Sequence, residues 1–250
     1  MPTALVTGGA KRIGRAIVDD LAAEGWSVAI HANRSRTEAS ELAAYIVANG
    51  GSAAAVCTDL ADLDSLPALV AEATDALGPI DVLVNCAAMF EDDGIGRLDP
   101  DRFRRQMTVN LEAPLFLTQA FVAALPADCE GNVINIIDQR VWKPVPHFLS
   151  YQLSKSALWA ATVAMAQALA PRVRVNAIGP GPTLRSERQE PADFDRQVAA
   201  IPLRRGPTLA EFGRTVRYLV ETPSITGQMI ALDGGQHLAW ETPDIVGIPE

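Results

Sequence analysis

The chain has 250 residues, with 21 lysines and arginines against 30 aspartates and glutamates, and a net charge of −9. Its 48% hydrophobic and 20% charged content is that of a globular domain, which excludes overall disorder. The acidic balance argues against nucleic-acid binding, and three scattered cysteines argue against a disulfide framework or a metal site.

The first residues of the chain lack the basic and apolar regions of a secretion signal. No later stretch reaches the roughly 20 apolar residues that a membrane span needs. A cytoplasmic protein without membrane contact is therefore expected.

Seven short apolar runs alternate with longer segments whose apolar residues recur at three- and four-residue spacing. Because a parallel crossover needs a dozen or more residues, this alternation predicts parallel strands joined by helices. We therefore predict an α/β fold, a single Rossmann-type doubly wound domain over residues 1–250, with a parallel sheet of about seven strands. The predicted strands are 4–7, 27–31, 52–57, 81–85, 132–137, 172–178 and 228–232.

A glycine-rich turn follows the first predicted strand and opens the first predicted helix. Glycine lets the backbone approach a pyrophosphate closely, and the free N–H groups of the helix N-terminus stabilise the anion. An ordinary strand-to-helix turn is the alternative, but a position between strand and helix is what dinucleotide binding requires. The predicted cofactor contacts here are Gly8, Lys11, Arg12, Ile13 and Gly14.

The second strand ends without the acid that holds the adenosine ribose in NAD-binding proteins. Arg34, Ser35 and Arg36 stand there instead, and the glycine turn adds the basic residues Lys11 and Arg12. A guanidinium beside a hydroxyl suits a 2′-phosphate, which carries nearly two negative charges. The sequence therefore predicts NADPH or NADP+ as cofactor, the alternative being a solvated basic edge.

Tyr151 and Lys155 open an alanine-rich helix that lacks charge all round beyond this point. Residues four apart share one helix face. A lysine cation beside a phenol is expected to lower the phenol pKa from its usual value of about 10. The pair predicts Tyr151 as a general acid.

The segment 179–207 breaks the alternation of strands and helices with five prolines and a charged cluster, directly after a predicted strand. A segment this long inside a compact domain is usually a functional lid or disordered. Because ligands bind at the carboxyl ends of such strands, we predict a substrate lid over 179–207 rather than a variable loop.

Together these motifs resemble the short-chain dehydrogenase/reductase family from residue 3 to about residue 238. The resemblance implies an oxidoreductase in which Tyr151 donates the proton, Lys155 also holds the nicotinamide ribose, and Asn110 supports a water relay. It also implies that the uncharged helix is buried in a homotetramer. Further implied cofactor contacts are Asp59 and Leu60 after the third strand, Asn85 and Ala87 around the end of the fourth, Tyr151 and Lys155 on the alanine-rich helix, and Pro180 and Gly181 after the sixth.

Three departures from the family pattern narrow the resemblance. Arg12 replaces the middle glycine of the turn, Cys86 replaces a second asparagine, and Asp138 replaces the catalytic serine that precedes the tyrosine. This combination resembles the pteridine reductases and the bacterial dihydromonapterin and dihydrofolate reductases of the family. Phe90 stands where pteridine reductases place an aromatic ring that stacks on the pterin.

Asp138 changes the chemistry that the site favours. A serine hydroxyl donates a hydrogen bond to a carbonyl oxygen as it becomes an alkoxide, whereas an ionised carboxylate cannot donate and repels that charge. Reduction of a ring C=N differs, because the nitrogen gains a proton and the N–H donors of an aminopyrimidine benefit from a carboxylate acceptor.

We therefore predict an NADPH-dependent reductase of a pterin-type C=N bond, with a small-molecule substrate. The predicted catalytic residues are Asp138, Tyr151, Lys155 and Asn110, and the predicted substrate contacts are Phe90, Asp138 and Tyr151. The alternatives are a 3-oxoacyl or carbonyl reductase, and a catalytically silent NADPH-binding sensor or scaffold. A third alternative is a degenerate site in which Asp138 merely caps its loop.

Overall fold

The computed structural model describes residues 1–186 and 188–247; Glu187, within the predicted lid, and residues 248–250 lie outside the described residues. Seven parallel strands form one sheet across the described residues, in the order β3-β2-β1-β4-β5-β6-β7. The strands are β1 (Thr3–Val6), β2 (Ser27–Ala32), β3 (Ser52–Cys57), β4 (Val82–Asn85), β5 (Gly131–Ile136), β6 (Val173–Pro180) and β7 (Met229–Leu232). The predicted doubly wound α/β fold is confirmed.

Helices connect consecutive strands and cover both faces of the sheet. They are α1 (Arg12–Ala23), α2 (Arg36–Ala48), α3 (Leu66–Leu77), α4 (Pro100–Met107), α5 (Ala113–Ala124), α6 (Leu149–Leu169), α7 (Pro191–Ala199) and α8 (Leu209–Glu221). A five-residue π-helical turn, Thr108–Glu112, joins α4 to α5, and a short 3-10 turn, Gln139–Val141, follows β5.

Two apolar layers enclose the sheet, which explains why its strands are buried on both faces. On one face, α1, α2 and α8 contribute Ile17, Leu42 and Phe212, all at most 2% exposed. On the other face, α3 and α5 contribute Leu69 and Phe121, which are equally buried. The strands therefore read as continuous apolar runs in the sequence.

The strand order reverses between β1 and β4, because the chain crosses from β3 back over the sheet at this point. In an open parallel sheet, the loops on either side of such a reversal diverge and leave a crevice at the carboxyl ends of the strands. The glycine turn follows β1 and residues 86–88 follow β4, so both segments border this crevice.

The segment 179–207 contains regular structure rather than a long irregular loop. Strand β6 continues to Pro180, and α7 begins at Pro191, where proline fits the first helical turn because no N–H is needed there.

No helix among residues 1–186 and 188–247 is long and apolar enough to cross a membrane.

Candidate active site

A cavity of about 820 Å³ opens at the carboxyl edge of the sheet, over the strand-order reversal. It brings together nearly all of the residues that the sequence singled out. Those that line it are Gly8, Lys11, Arg12, Ile13, Gly14, Arg34, Ser35, Asp59, Leu60, Ala87, Phe90, Asp138, Tyr151, Lys155, Pro180 and Gly181.

The glycine turn packs tightly onto the first turn of α1. A Cβ at Gly14 would lie 2.2 Å from the Gly8 carbonyl oxygen, and Gly8 itself adopts φ +65. Only glycine fits both positions without moving the backbone. The turn therefore presents the start of α1 and its free N–H groups to the cavity, in the arrangement that binds a pyrophosphate.

Arg12 occupies the place of a glycine in the family pattern and adopts the left-handed conformation that glycine would, with φ +54. For an ordinary side chain this costs roughly 1–2 kcal/mol. Its guanidinium donates hydrogen bonds to the carbonyl oxygens of Leu184 and Arg185, at 3.2 and 3.3 Å. These contacts offset the strain and tie the glycine turn to the segment after β6.

His31 holds the glycine turn from behind, a role that the sequence did not reveal. Its Nδ1 lies 3.2 Å from the Gly8 amide, and its Nε2 lies 3.0 Å from the Thr58 carbonyl oxygen. An amide can only donate and a carbonyl can only accept, so Nε2 carries the proton and the imidazole is neutral. Burial lowers the pKa of His31, which favours this neutral form.

The His31 geometry predicts an acid-dependent loss of stability. The unfolded chain takes up a proton at histidine near pH 6.5, whereas the folded chain resists it, so the free energy of unfolding falls as pH drops below about 6.5. His31→Asn keeps a carbonyl acceptor and does not titrate, so its stability should change less over this range. Urea unfolding between pH 8 and pH 5 measures this slope.

The exposed His147 provides the matched control. His147→Asn should retain the pH slope of the wild type. Equal slopes for the wild type and His31→Asn would contradict a buried neutral imidazole.

Some of the basic residues at this end of the cavity form ion pairs, and others are exposed to solvent. Lys11 pairs with Glu38 at 2.6 Å, so a carboxylate partly offsets its charge. Arg34 is exposed at the cavity edge beside Ser35, which precedes α2. On the far side, Arg105 of α4 lines the cavity and donates to Asp59 at 2.9 Å. No pattern in the sequence points to Arg105, because only the fold brings α4 against the loop after β3.

Two predicted residues stand behind the cavity wall instead of lining it. Asn85 is 2% exposed and donates to the Asn135 side chain at 2.9 Å. Asn110 is fully buried in the π-helical turn, where it accepts from the Met89 amide at 2.7 Å and donates to the Met89 carbonyl at 2.9 Å. Both side chains hold backbone or neighbouring side chains, and their predicted roles, cofactor contact at Asn85 and support of a water relay at Asn110, stay predictions.

The reacting centre is built from β5 and α6. The Tyr151 hydroxyl donates to Oδ2 of Asp138 at 3.1 Å, and Oδ1 of the same carboxylate accepts from the Arg140 amide at 2.8 Å. Asp138 therefore caps its loop with one oxygen and meets the phenol with the other. Lys155 donates to the Ile136 carbonyl at 2.8 Å, with its Nζ 5.8 Å from the centroid of the Tyr151 ring.

The expected lowering of the tyrosine pKa by lysine is wrong in this environment. Burial and the nearby Asp138 carboxylate raise the pKa of Tyr151 well above its usual value, because both disfavour the phenolate. Burial also raises the pKa of Asp138 and lowers the pKa of Lys155 to about 8. The phenol thus keeps its proton at neutral pH, as a proton donor must.

An aromatic pair forms the wall next to this centre. Phe90 stacks on Phe148, with ring centroids 4.3 Å apart, and meets the Tyr151 ring edge-on at 4.7 Å. Phe148 adopts the left-handed conformation, φ +56, immediately before α6, and sequence patterns did not point to it. The ring of Phe90 thus lies at the place where an aromatic substrate would approach Tyr151.

Comparison with known proteins gives matches over nearly the whole chain. The crystal structure of FolM alternative dihydrofolate reductase 1 from Brucella suis, in complex with NADP, is 59% identical, with a TM-score of 0.96 over 98% of both chains. A short-chain dehydrogenase/reductase from Serratia marcescens is 31% identical, with a TM-score of 0.88 over 94% of this chain and 98% of that one. The 3-oxoacyl-[acyl-carrier-protein] reductase of Synechocystis sp. is 33% identical over 93% of this chain and 95% of its own length.

The family model described as short chain dehydrogenase matches residues 2–196. This range contains the glycine turn, Asp138, Tyr151 and Lys155. The protein therefore belongs to the short-chain dehydrogenase family.

Proposed function

We propose that this protein is an NADPH-dependent oxidoreductase that reduces a ring C=N bond of a pterin-type substrate. The observation that carries the proposal is the Asp138 carboxylate, 3.1 Å from the Tyr151 hydroxyl, at the place of a serine. The similarity to a solved alternative dihydrofolate reductase, at 59% identity over 98% of the chain, supports it.

The cavity suits a phosphorylated dinucleotide. The close packing of Gly14 on Gly8 leaves a compact turn at the start of α1, where phosphates bind. Arg34 and Ser35 would hold the 2′-phosphate, Asp59 and Leu60 the adenine, and Lys155 the nicotinamide ribose. When bound, NADPH supplies the hydride that the ring carbon of the substrate gains.

The protein's own part in the reaction is the delivery of a proton. Tyr151 gives its phenolic proton to the ring nitrogen, so the C=N bond becomes CH–NH. Because burial raises the pKa of Asp138, this carboxyl group holds a proton more readily than an exposed one and can pass it to the phenolic oxygen. Lys155 would hold the nicotinamide ribose beside this pair, and its cation, 5.8 Å from the Tyr151 ring centroid, partly counters the negative charge left when the phenol has given up its proton.

Asp138 also suits the substrate itself. In its ionised form the carboxylate accepts hydrogen bonds from N–H donors, which the aminopyrimidine ring of a pterin offers. Phe90 adds an apolar face beside the tyrosine. A flat heterocycle with N–H groups on one edge therefore fits this wall better than a simple ketone does.

Arg34→Ala should weaken NADPH binding by about 1.5–3 kcal/mol, the usual range for a charge-assisted hydrogen bond, and barely change NADH binding. The reason is that only NADPH carries the 2′-phosphate. Fluorescence titration of each cofactor measures the two dissociation constants. The exposed Arg36 is the control, because Arg36→Ala removes a neighbouring charge outside the cavity lining. Equal losses for both cofactors would show that Arg34 does not contact the 2′-phosphate.

A 3-oxoacyl reductase is the second candidate, because a curated relative of that activity is 33% identical over 93% of the chain. Its carbonyl oxygen becomes an alkoxide, which lacks the hydroxyl donor of a serine at position 138 and is repelled whenever Asp138 is ionised. The carboxylate at position 138 therefore favours the pterin. A sensor that only binds NADPH would have no use for the cluster of Asp138, Tyr151 and Lys155 at the cavity, so we prefer an enzyme.

We also propose a homotetramer in the cytoplasm and a lid over 179–207. Phe116 of α5 and Leu153 of α6 are 44% and 45% exposed in a single chain, and both lie on helices that would meet partner subunits. Burial of such apolar surface stabilises association.

The lid proposal is supported by Leu184 and Phe194, which both line the cavity.

The test of the proposed function is a substrate screen with purified enzyme, following NADPH absorbance. Dihydrobiopterin, dihydrofolate and a 3-oxoacyl thioester are compared at equal concentration. The proposal expects the highest kcat/KM on a dihydropterin or dihydrofolate. Turnover of the thioester alone would overturn it in favour of the second candidate.

A further inference from the structure

Arg140 is a cation in the cavity wall that the proposed mechanism does not use. It lies in the 3-10 turn Gln139–Val141, two residues after Asp138, and its amide is held by the Asp138 carboxylate. Its guanidinium carbon lies 5.6 Å from the ring centroid of Phe90 and 5.4 Å from that of Phe148. The guanidinium is nearly equidistant from the two stacked rings, so it lies alongside the aromatic pair at a defined place beside the reacting centre.

The hydrogen-bonding capacity of this guanidinium is not used within the protein. Across residues 1–186 and 188–247, no oxygen accepts a hydrogen bond from the Arg140 side chain and no carboxylate pairs with it. Both oxygens of Asp138 are engaged elsewhere, with the Arg140 amide and the Tyr151 hydroxyl. By contrast, Arg188, which also lies over Phe90, donates to the Phe90 carbonyl oxygen. A half-buried fork of N–H donors is thus left facing the cavity.

The chemistry of the substrate indicates what this fork meets. In a 7,8-dihydropterin the reduced bond is N5=C6, so the hydride goes to C6 and the proton to N5. The substituent on C6 is attached to the carbon that reacts, and it must leave the centre next to Tyr151. Phe90 contacts the Tyr151 ring on one side and the Arg140 guanidinium on another. A substituent that passes Phe90 therefore reaches Arg140.

We propose that Arg140 binds a carboxylate on the C6 substituent and thereby lowers KM for pterins whose substituent is anionic. This inference rests on the proposed function. A planar guanidinium matches a carboxylate with two parallel hydrogen bonds, and partial burial reduces competition from water. Arg140 is in this view a specificity-determining residue, one that contacts the substrate but not the reacting bond.

A second effect of Arg140 has to be separated from the first. Its positive charge also acts on Asp138 and opposes the rise in the pKa of that carboxyl group. Loss of the charge through this route would change the turnover of every pterin and move the pH profile. Loss of a carboxylate contact would instead raise KM only for anionic substrates.

The test is a comparison of three dihydropterins on the wild type and on Arg140→Gln. Dihydrobiopterin is neutral at C6, dihydropteroate carries one carboxylate, and dihydrofolate carries two on its glutamate. Arg140→Gln should raise KM for dihydrofolate by about 10- to 100-fold, as for loss of a charge-assisted hydrogen bond, and leave KM for dihydrobiopterin unchanged. Dihydropteroate shows how far along the substituent the contact lies.

Arg214→Gln is the matched control, because Arg214 is exposed on α8, away from the aromatic pair. A binding readout needs no turnover: p-aminobenzoyl-glutamate should inhibit dihydrobiopterin reduction competitively in the wild type and far more weakly in Arg140→Gln. Arg140→Lys keeps the charge without the fork and should lie between the two. Arg140→Lys replaces Arg140→Gln in the comparison if Arg140→Gln does not fold.

Equal changes in KM for neutral and anionic pterins, or no inhibition of the wild type by p-aminobenzoyl-glutamate, would overturn this inference and leave the proposed function intact. A wild type that reduces none of the three dihydropterins would overturn the proposed function, and this inference with it.

Discussion

Tyr151→Phe should lower kcat for dihydropterin reduction by roughly 10²- to 10⁴-fold, the usual contribution of a positioned proton donor. The substitution removes only the hydroxyl that lies 3.1 Å from Asp138 and leaves the ring against Phe90. NADPH binding should therefore be unchanged, because the glycine turn and the basic residues after β2 are untouched. Steady-state kinetics and cofactor titration on the same preparation measure both quantities.

Two further variants make this result specific. Tyr218→Phe removes a hydroxyl from an exposed tyrosine on α8 and should leave kcat unchanged. Lys155→Ala should damage both turnover and cofactor binding, because this lysine is buried beside the tyrosine and would also hold the ribose. Near-normal turnover in Tyr151→Phe would refute the reductase mechanism.

Substitution of Asp138 should separate C=N reduction from C=O reduction. Asp138→Asn keeps the shape of the side chain but loses its charge and its exchangeable carboxyl proton. Dihydropterin reduction should fall by about 10- to 100-fold or more, since a charged hydrogen bond next to the proton donor is lost. Asp138→Ser restores a hydroxyl donor, so activity on a simple ketone should hold steady or rise while pterin activity falls.

The pH dependence should change in the same variants. Burial raises the pKa of Asp138, so the protonated carboxyl persists to higher pH than in an exposed aspartate, and pterin reduction should decline as pH rises through this pKa. Because the carboxyl group and the phenol are in contact, the wild-type profile reports the pair. Asp138→Asn and Asp138→Ser should both move its midpoint. If Asp138→Ser leaves both pterin turnover and its pH profile unchanged, the carboxylate has no special role and the carbonyl-reductase alternative becomes the better one.

The fold could be predicted from the sequence because its signals are local. Apolar runs such as 27–31 and 52–57 lie within one residue of the observed β2 and β3, since strands covered on both faces are apolar at every position. Segment 179–207 was less predictable. Its prolines suggested irregular structure, yet Pro191 begins a helix, because proline is unfavourable inside a helix and favourable at its start.

The site could be predicted only where a residue type implies its own chemistry. The tyrosine–lysine spacing and the glycine turn belong to this class. The roles of His31, Arg105 and Arg140 depend on contacts with distant segments, namely Gly8, Asp59 and Phe90. The tyrosine pKa was mispredicted for a related reason: helical spacing places Lys155 near Tyr151, but it does not show that Lys155 donates to the Ile136 carbonyl and that Asp138 is closer to the phenol.

The most direct measurement follows the hydrogen itself. NADPH carrying deuterium in both C4 positions of the nicotinamide is incubated with the enzyme and a 7,8-dihydropterin, and the product is examined by mass spectrometry and proton NMR. The account predicts a tetrahydropterin with one deuterium at C6, and no transfer in Tyr151→Phe at the same enzyme concentration. A parallel reaction offers the enzyme a 3-oxoacyl thioester in place of the dihydropterin. If the dihydropterin stays unreduced and unlabelled while the thioester becomes a deuterated 3-hydroxyacyl thioester, the account is contradicted.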